Sequence, residues 1–281
     1  MSISMERATP ESLGEVVEAV AGWQHTGGPV QLHPGDLGWN WSHGAPALAG
    51  AVRVWRRGGE ILAVGMVDDK AGLIRMGIAP SVGGDAAFAA SVLAGLADPV
   101  RAVEARFGDA FRDLLRRSGW VADEAWTPLA RELTEPVPDG GLRVEVVGGH
   151  NVGDRVAVGR AMFPTSTFTL ERWRAMAAAP PYRRARCLVG YDGDGAAVAA
   201  VTVWSAGEGR PGLLEPLGVH PDHRGHGYGR AITLAAAAAL REMGSSSATV
   251  CTPSDNAGGV GAYVSAGFRQ LPDVTDFRRT K

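Results

Sequence analysis

Lysine is almost missing from this chain of 281 residues: Lys70 and Lys281 stand against twenty-six arginines. Alanine and glycine are abundant alongside, the signature of base-composition bias, so arginine richness alone points to no site. Cysteine is nearly as scarce. Cys187 and Cys251 are too few for a disulfide framework and wrongly spaced for a zinc knuckle, so a reducing compartment is expected, with both thiols buried in strands. A formal net charge of -2 lacks the basic field that a polyanion partner requires, and no nucleic acid is expected. The opening Met1-Ser-Ile-Ser-Met-Glu-Arg7 lacks the basic patch and apolar core of a signal peptide, and no apolar run is long enough to span a bilayer. The expectation is a cytoplasmic protein with no membrane partner.

What is present is an ordinary globular composition, 45% hydrophobic and 21% charged, in a length that suits two domains of about 140 residues. Glu135-Pro-Val-Pro-Asp-Gly-Gly141 has linker chemistry and places the boundary, with domains over 1–137 and 142–281. Beyond it, hydrophobic spacing predicts a strand over Leu142–Val147, helices over Gly153–Phe163 and Thr169–Ala178, and strands over Arg186–Tyr191, Ala196–Trp204 and Leu213–Val219. An alanine-rich helix to about Met243, a strand over Ala248–Thr252, a helix over Gly258–Ser265 and terminal strands within Gln270–Arg279 follow. The first half runs in the same order, from Val52–Trp55 and Ile61–Val67 through Gly72–Ile78, a helix after Pro80, and Arg101–Ala105 to a helix ending before Gly119-Trp120. Pro80 matches Pro221 and Gly119-Trp120 matches Gly267-Phe268, so the chain reads as an internal duplication.

Consecutive main-chain N–H groups at a helix start attract phosphate, because unpaired donors and the positive end of the dipole converge where glycine lets the backbone come close. Arg224-Gly-His-Gly-Tyr-Gly-Arg230, entered from the strand ending at Val219, has that form. A plain helix cap has it too, and the loop alone leaves both readings open. No Gly-Lys-Ser/Thr follows, so it is not a Walker loop, and Gly225, Gly227 and Gly229 do not extend to a dinucleotide fingerprint. The stretch Val219–Arg230 resembles the acetyl-CoA motif of the GNAT superfamily of N-acetyltransferases, Arg/Gln-x-x-Gly-x-Gly/Ala after a strand, with Arg224, Gly227 and Gly229 in the defining places. Asn256, Tyr263, Gly267 and Phe268 match a second feature of that family, with Gly259 where alanine is common. The resemblance covers Leu142 to Arg279.

The resemblance implies an α/β architecture of two tandem domains around twisted mixed sheets, in which the pantetheine arm of acetyl-CoA lies between two splayed strands. Main-chain groups of Leu217, Gly218 and Val219 would pair with the arm, the amides of Gly225, His226, Gly227, Tyr228, Gly229 and Arg230 would take the pyrophosphate, and Asn256 would hold the far side. The implied reaction is direct acetyl transfer to an amine, expected to be that of a small molecule, in a ternary complex. An alkyl amine of pKa about 10 is almost wholly protonated at neutral pH, so a base is useful. Glu215 holds the place of the family's acid, with an ordinary strand carboxylate as the alternative; Tyr263 is the implied proton donor to the departing thiolate, with a core tyrosine as the alternative. The Val219 amide would meet the oxyanion. Acceptor pockets of this fold draw on the first two helices and their loops, here Met162–Arg174 and Pro180–Arg184. A non-catalytic acyl-CoA-binding or sensing module and a protein N-acetyltransferase are the rival readings, and a monomer is expected.

His220, His223 and His226 invite a zinc reading, but no acid or cysteine completes the set and no metal is expected; His226 is placed near a phosphate instead. Cys251, without a paired base, is read as packing. In the first half Gly83 replaces the motif arginine, Ala86 and Phe88 replace its glycines, Asp85 adds a repelling carboxylate, and Ile74, Leu115 and Gly108 stand for the acid, tyrosine and asparagine. That half is expected to keep the fold without the cofactor. It holds six of the eight tryptophans; packing is their expected role, with Trp39 and Trp41, in an apparent loop, as the exceptions.

Overall fold

A computed structural model describes residues 3–96, 100–163 and 165–280; Lys281, at the end of the expected second domain, and Pro164, inside the expected acceptor region, lie outside the described residues. The first half runs β1 (Ile3–Arg7), α1 (Leu13–Gly22), α2 (Pro34–Asn40), α3 (Ala45–Ala51), β2 (Val52–Arg57), β3 (Glu60–Asp68), β4 (Leu73–Ile78), α4 (Ala86–Ala94), β5 (Ala102–Glu104), α5 (Asp109–Arg117) and β6 (Trp120–Glu132). The second runs β7 (Arg143–Val146), α6 (Val152–Met162), α7 (Leu170–Ala177), β8 (Ala185–Tyr191), β9 (Ala197–Ser205), β10 (Gly212–Val219), α8 (Tyr228–Glu242), β11 (Ser247–Pro253), α9 (Ala257–Ser265), β12 (Arg269–Gln270) and β13 (Val274–Arg279).

Local chemistry accounts for most of these boundaries. The β2–β3 hairpin closes on Gly58-Gly59, both at positive φ, as a two-residue turn between twisted strands requires. The β8–β9 hairpin closes where the Asp192 carboxylate accepts from the amides of Asp194 and Ala196 at 3.1 and 2.8 Å. All of β9 after its first residue is buried, with α6 and α8 packed on it, which explains its continuous apolar run.

The segment around Trp39 and Trp41 departs from the loop reading. It is α2 followed by a 3-10 turn over Trp41–His43. His33 begins α2 with a reciprocal cap: its ring Nδ1 accepts from the Gly35 amide at 3.0 Å, and the Asp36 carboxylate accepts from the His33 amide at 2.7 Å. Gly35 and Gly38 look like loop formers but serve contact, since a Cβ on either would run into the Trp204 ring of β9.

The two halves join into one mixed sheet ordered β1-β2-β3-β4-β5-β13-β6-β11-β10-β9-β8-β7, with β12 on β6. Each half lends its last long strand to the other. β13, from the C-terminus, sits between β5 and β6, while β6 leaves the first half to pair along β11 from Trp126 to Glu132. Phe277 of β13 thus joins the first hydrophobic core, and Leu129 and Leu133 join the second. At about 1.5–3 kcal/mol for each large apolar side chain removed from water, the exchanged strands bind the halves together. Where β10 and β11 run parallel, they pair only at Gly212–Leu213 with Ala248–Thr249 and then diverge.

Candidate active site

The divergence leaves the later part of β10 with one free edge. Its other edge pairs with β9, and the His220 amide donates to the Val198 carbonyl at 2.8 Å. Successive amides of an extended chain point to opposite sides, so those of Leu217 and Val219 point into the gap. At the end of the strand Gly225 and Gly227 adopt φ of 84° and 82°, a conformation that favours glycine, and no side chain caps α8. Among the described residues, the amides from Gly225 to Arg230 find no acceptor, and all of these residues except His226 line one cleft of about 580 Å³ at the positive end of a helix of 15 residues. The Arg230 guanidinium donates from Nε to the Ser265 carbonyl at 3.0 Å, and both residues line the cleft. His226 stacks on Tyr228, and its Nδ1 faces the Arg224 carbonyl at 3.0 Å. Asn256 caps α9, accepting from the Gly259 amide at 3.0 Å and donating to Thr252 Oγ1 at 2.9 Å while lining the cleft.

A second cavity, of about 680 Å³, opens from the first, and Tyr263, Asn256, Met162 and Leu217 line both. A register shift in β10 between Leu214 and Leu217 takes Glu215 out of the ladder and turns its carboxylate into this cavity. There Glu215 lies 3.4 Å from Arg75 Nη1, while Arg75 also pairs with Asp36 and, through Nε at 2.7 Å, with Glu104. Burial pushes the Glu215 pKa up to about 7 against the pull of Arg75, with Asp36 and Glu104 adding to the rise. Tyr263 is 7% exposed, and burial, then the Glu215 charge, holds its phenol neutral well above the ordinary tyrosine range. A carboxylate that titrates near neutrality and a phenol that keeps its proton therefore face one space. That division suits proton acceptance and proton donation.

Residues 157–268 match the Acetyltransferase (GNAT) family. This half of the chain carries a GNAT domain. No curated protein matches the chain. Among solved structures, an acetyltransferase of the GNAT family from Colwellia psychrerythraea superposes over 100% of both chains with a TM-score of 0.62 at 13% identity. A GCN5-related N-acetyltransferase from Sphaerobacter thermophilus covers 99% of this chain and 95% of its own, with TM-score 0.57 at 16% identity. A tandem GNAT protein from the clavulanic acid biosynthesis pathway covers 98% of each chain, with TM-score 0.57 at 16% identity. At these identities the likeness is one of fold, and it spans both halves.

The first half repeats the GNAT strand-turn-helix but fills it. Asp85 caps α4, accepting from the Phe88 amide at 2.9 Å and pairing with Arg57 at 2.6 Å, so a carboxylate occupies the helix start. Phe88 is 2% exposed beneath the Arg57 guanidinium. Met76, Gly77 and Ile78 stand where the GNAT domain has Leu217, Gly218 and Val219. The Leu32 amide donates to the Met76 carbonyl at 2.9 Å, and the Ile78 amide donates to Gln31 Oε1 at 3.0 Å. A Cβ on Gly77 would touch Leu32.

Several side chains around the cavity carry no motif in the sequence. Asp36, Arg75, Glu104, Arg106 and Trp126 come from the first half and reach the cavity because α2, β4, β5 and β6 meet the GNAT domain there. Trp39 lines the cavity, as expected of an exception to packing, whereas Trp41 is buried in the first core. Cys251 is only half-buried: it lines the cavity 3.4 Å from Arg106 Nη1, and burial raises its pKa to about 11. Of the expected acceptor segments, Met162, Phe163, Thr165, Ser166 and Phe168 line the cavity. Pro180–Arg184 does not; it folds as a 3-10 turn against α2, at a separate surface hollow beside Trp41. His220 accepts from the Asp222 amide at 3.3 Å within its own turn, while His223 faces Asp192 of the β8–β9 hairpin at 3.7 Å and lines the cleft. Among the described residues no three His, Cys, Asp or Glu groups converge as metal ligands.

Proposed function

We propose that the protein is an acetyl-CoA-dependent N-acetyltransferase that acts on a small-molecule amine by direct transfer in a ternary complex. Its cofactor site lies in residues 142–281, and residues 1–137 are a degenerate copy that takes no cofactor. The observation that carries this reading is the continuity of the two spaces at Tyr263 and Asn256, with free amides at one end and Glu215 at the other. The unpaired amides of Gly225 to Arg230 fit a pyrophosphate, and the free edge of β10 fits an amide-bearing arm. Acetyl-CoA then supplies an activated acyl group where the cleft meets the cavity.

The remaining steps belong to this chain's own residues. The acceptor amine must lose a proton, and the Glu215 carboxylate accepts it, directly or through water. As the neutral amine nitrogen bonds to the acyl carbon, the carbon–sulfur bond breaks, the Tyr263 hydroxyl donates a proton to sulfur, and the second proton lost from nitrogen restores the Tyr263 hydroxyl through water. The Val219 amide, pointing into the gap, is the donor suited to negative charge on the acyl oxygen. A cavity walled by α2, β4 and β6 of the first half supports a small acceptor over a protein, which would need an open groove.

Calorimetric titration with acetyl-CoA, followed by CoA-release assays over an amine panel, tests the reading. One site per chain and turnover with a small amine are the expected results. Two sites would return the first half to service, and saturable binding without transfer to any amine would leave an acyl-CoA-binding module.

A further inference from the structure

One wall of the acceptor cavity holds a charge with no counter-ion. Arg155, on α6, is 1% exposed, yet the one hydrogen bond of its side chain among the described residues runs from Nε to Cys187 Sγ at 3.2 Å, and its buried Nη2 has no partner. The other arginines that line the cavity differ. Arg75 is shared by three carboxylates, and Arg106 grips Asp276 through Nε at 2.7 Å and Nη2 at 2.9 Å. A guanidinium taken out of water without an anion is costly, so proteins keep one where an anion arrives to pair with it.

The surroundings hold this guanidinium toward the cavity. Gly159, one turn along α6, also lines the cavity, and a Cβ there would sit 2.5 Å from Arg155 Nη1, so glycine is what leaves room for the side chain to lie along its own helix. The guanidinium lies 5.2 Å from the Phe168 ring centroid, and that ring stacks at 4.9 Å on Trp39. Thr165 and Ser166 line the same space. Sulfur occupies the Nε edge of the fork, and among the described residues the terminal nitrogens have no hydrogen-bond partner, Nη2 being fully buried.

We propose that Arg155 receives a carboxylate of the acceptor, so that the substrate class is an amine that also carries a carboxylate group. This rests on the reading of the GNAT domain as an amine acetyltransferase. The cavity is bipolar: Glu215, Asp36 and Glu104 outnumber Arg75 on the wall where the amine must lose its proton, and Arg155 stands unpaired on the α6 wall. An aminocarboxylate satisfies both walls at once. A fork of parallel N–H groups suits a planar carboxylate, and lysine would not reproduce it.

The test uses matched probes: α-amino acids and ω-aminocarboxylates, each beside its carboxamide and its phosphonate analogue. Binding to the full-length protein saturated with CoA is measured by calorimetry, and kcat/KM with acetyl-CoA by CoA release. The expected result is that at least one carboxylate is preferred over its carboxamide by about 10- to 100-fold, the range of a charge-assisted hydrogen bond. Arg155→Met should shrink that preference below about threefold with acetyl-CoA affinity unchanged, and Arg155→Lys should restore part of it. If Arg155→Met does not fold, the wild-type pairs still decide the matter. Carboxamides that bind as well as carboxylates, or phosphonates that bind better, would overturn the proposal. Failure of acetyl-CoA to bind, or to acetylate any amine, would sink the proposed function instead, and the carboxylate–carboxamide binding comparison, repeated without CoA, would still judge Arg155.

Discussion

The two halves share a strand, a proline-bearing turn and a helix, and they differ in what meets the free backbone at that turn. In the second half Gly227 leaves the first amides of α8 unpaired and β10 keeps an open edge. In the first half Asp85 takes the Phe88 amide, and Gln31 and Leu32 take the edge of β4. The same fold thus carries its polar vacancies either as unpaired groups along a cleft or as solved packing problems. Unsatisfied backbone donors are costly, so a half that does not use them for a ligand is stabilised by side chains that fill them. The filled half then supplies walls: Asp36, Trp39, Arg75 and Glu104 reach the cavity of its partner.

The largest effect should come from giving the open loop the bulk of the filled one. Gly227→Val forces a β-branched residue to a φ of 82° and should weaken acetyl-CoA binding by more than about 100-fold in calorimetry. Unchanged affinity would remove the loop from the site. Glu215→Gln should lower kcat/KM by about 10²- to 10⁴-fold. The wild-type pH profile should climb with unit slope to about pH 7 and then level, because the carboxylate accepts only when ionised; the variant should lack that limb. Tyr263→Phe should slow turnover by about 10- to 100-fold while acetyl-CoA affinity stays the same, and a variant as fast as the wild type would end the proton-donor role.

The seam between the halves should have its own pH signature. Burial holds the His33 pKa at about 4 against the usual 6.5, where its Nε2 faces the Pro211 carbonyl at 3.3 Å. The unfolded chain takes up this proton first, so stability is complete above about pH 6.5 and is lost as the pH falls toward 4. His33→Asn, which keeps a capping side chain, should flatten that part of the curve of Tm against pH. The smallest effect belongs to Asp85→Ala, which removes a helix cap and a partly exposed ion pair. A Tm drop of about 2–4 °C is expected. Acetyl-CoA should still bind at one site, since Gln31 and Leu32 remain on β4; a second site would show that Asp85 alone closed the first half.

Motifs that depend on neighbours in sequence were readable before any fold was known. Arg224–Arg230 forms its loop through the φ of its own glycines, and Asn256, Tyr263 and Phe268 share one short helix and its end. The β8–β9 hairpin followed from the turn chemistry of Asp192-Gly-Asp-Gly195. β6 escaped because it pairs with β13 along its first part and β11 along its second, which leaves no single alternation in Trp120–Glu132. α2 escaped because two of its glycines serve the Trp204 ring and only look like loop residues.

By itself, then, the sequence determined the order of the elements in the second half, the family of that half and the glycine conformations of its loop, because each depends on propensity and spacing within a few residues. Only the tertiary structure decided that the halves exchange β6 and β13, that Gln31 and Leu32 cover the edge of β4, and that Asp36, Arg75, Glu104 and Arg155 surround one cavity with Glu215. Those outcomes rest on burial and on which polar groups find partners across the chain. Such partners are chosen by packing in three dimensions, and no local pattern records them.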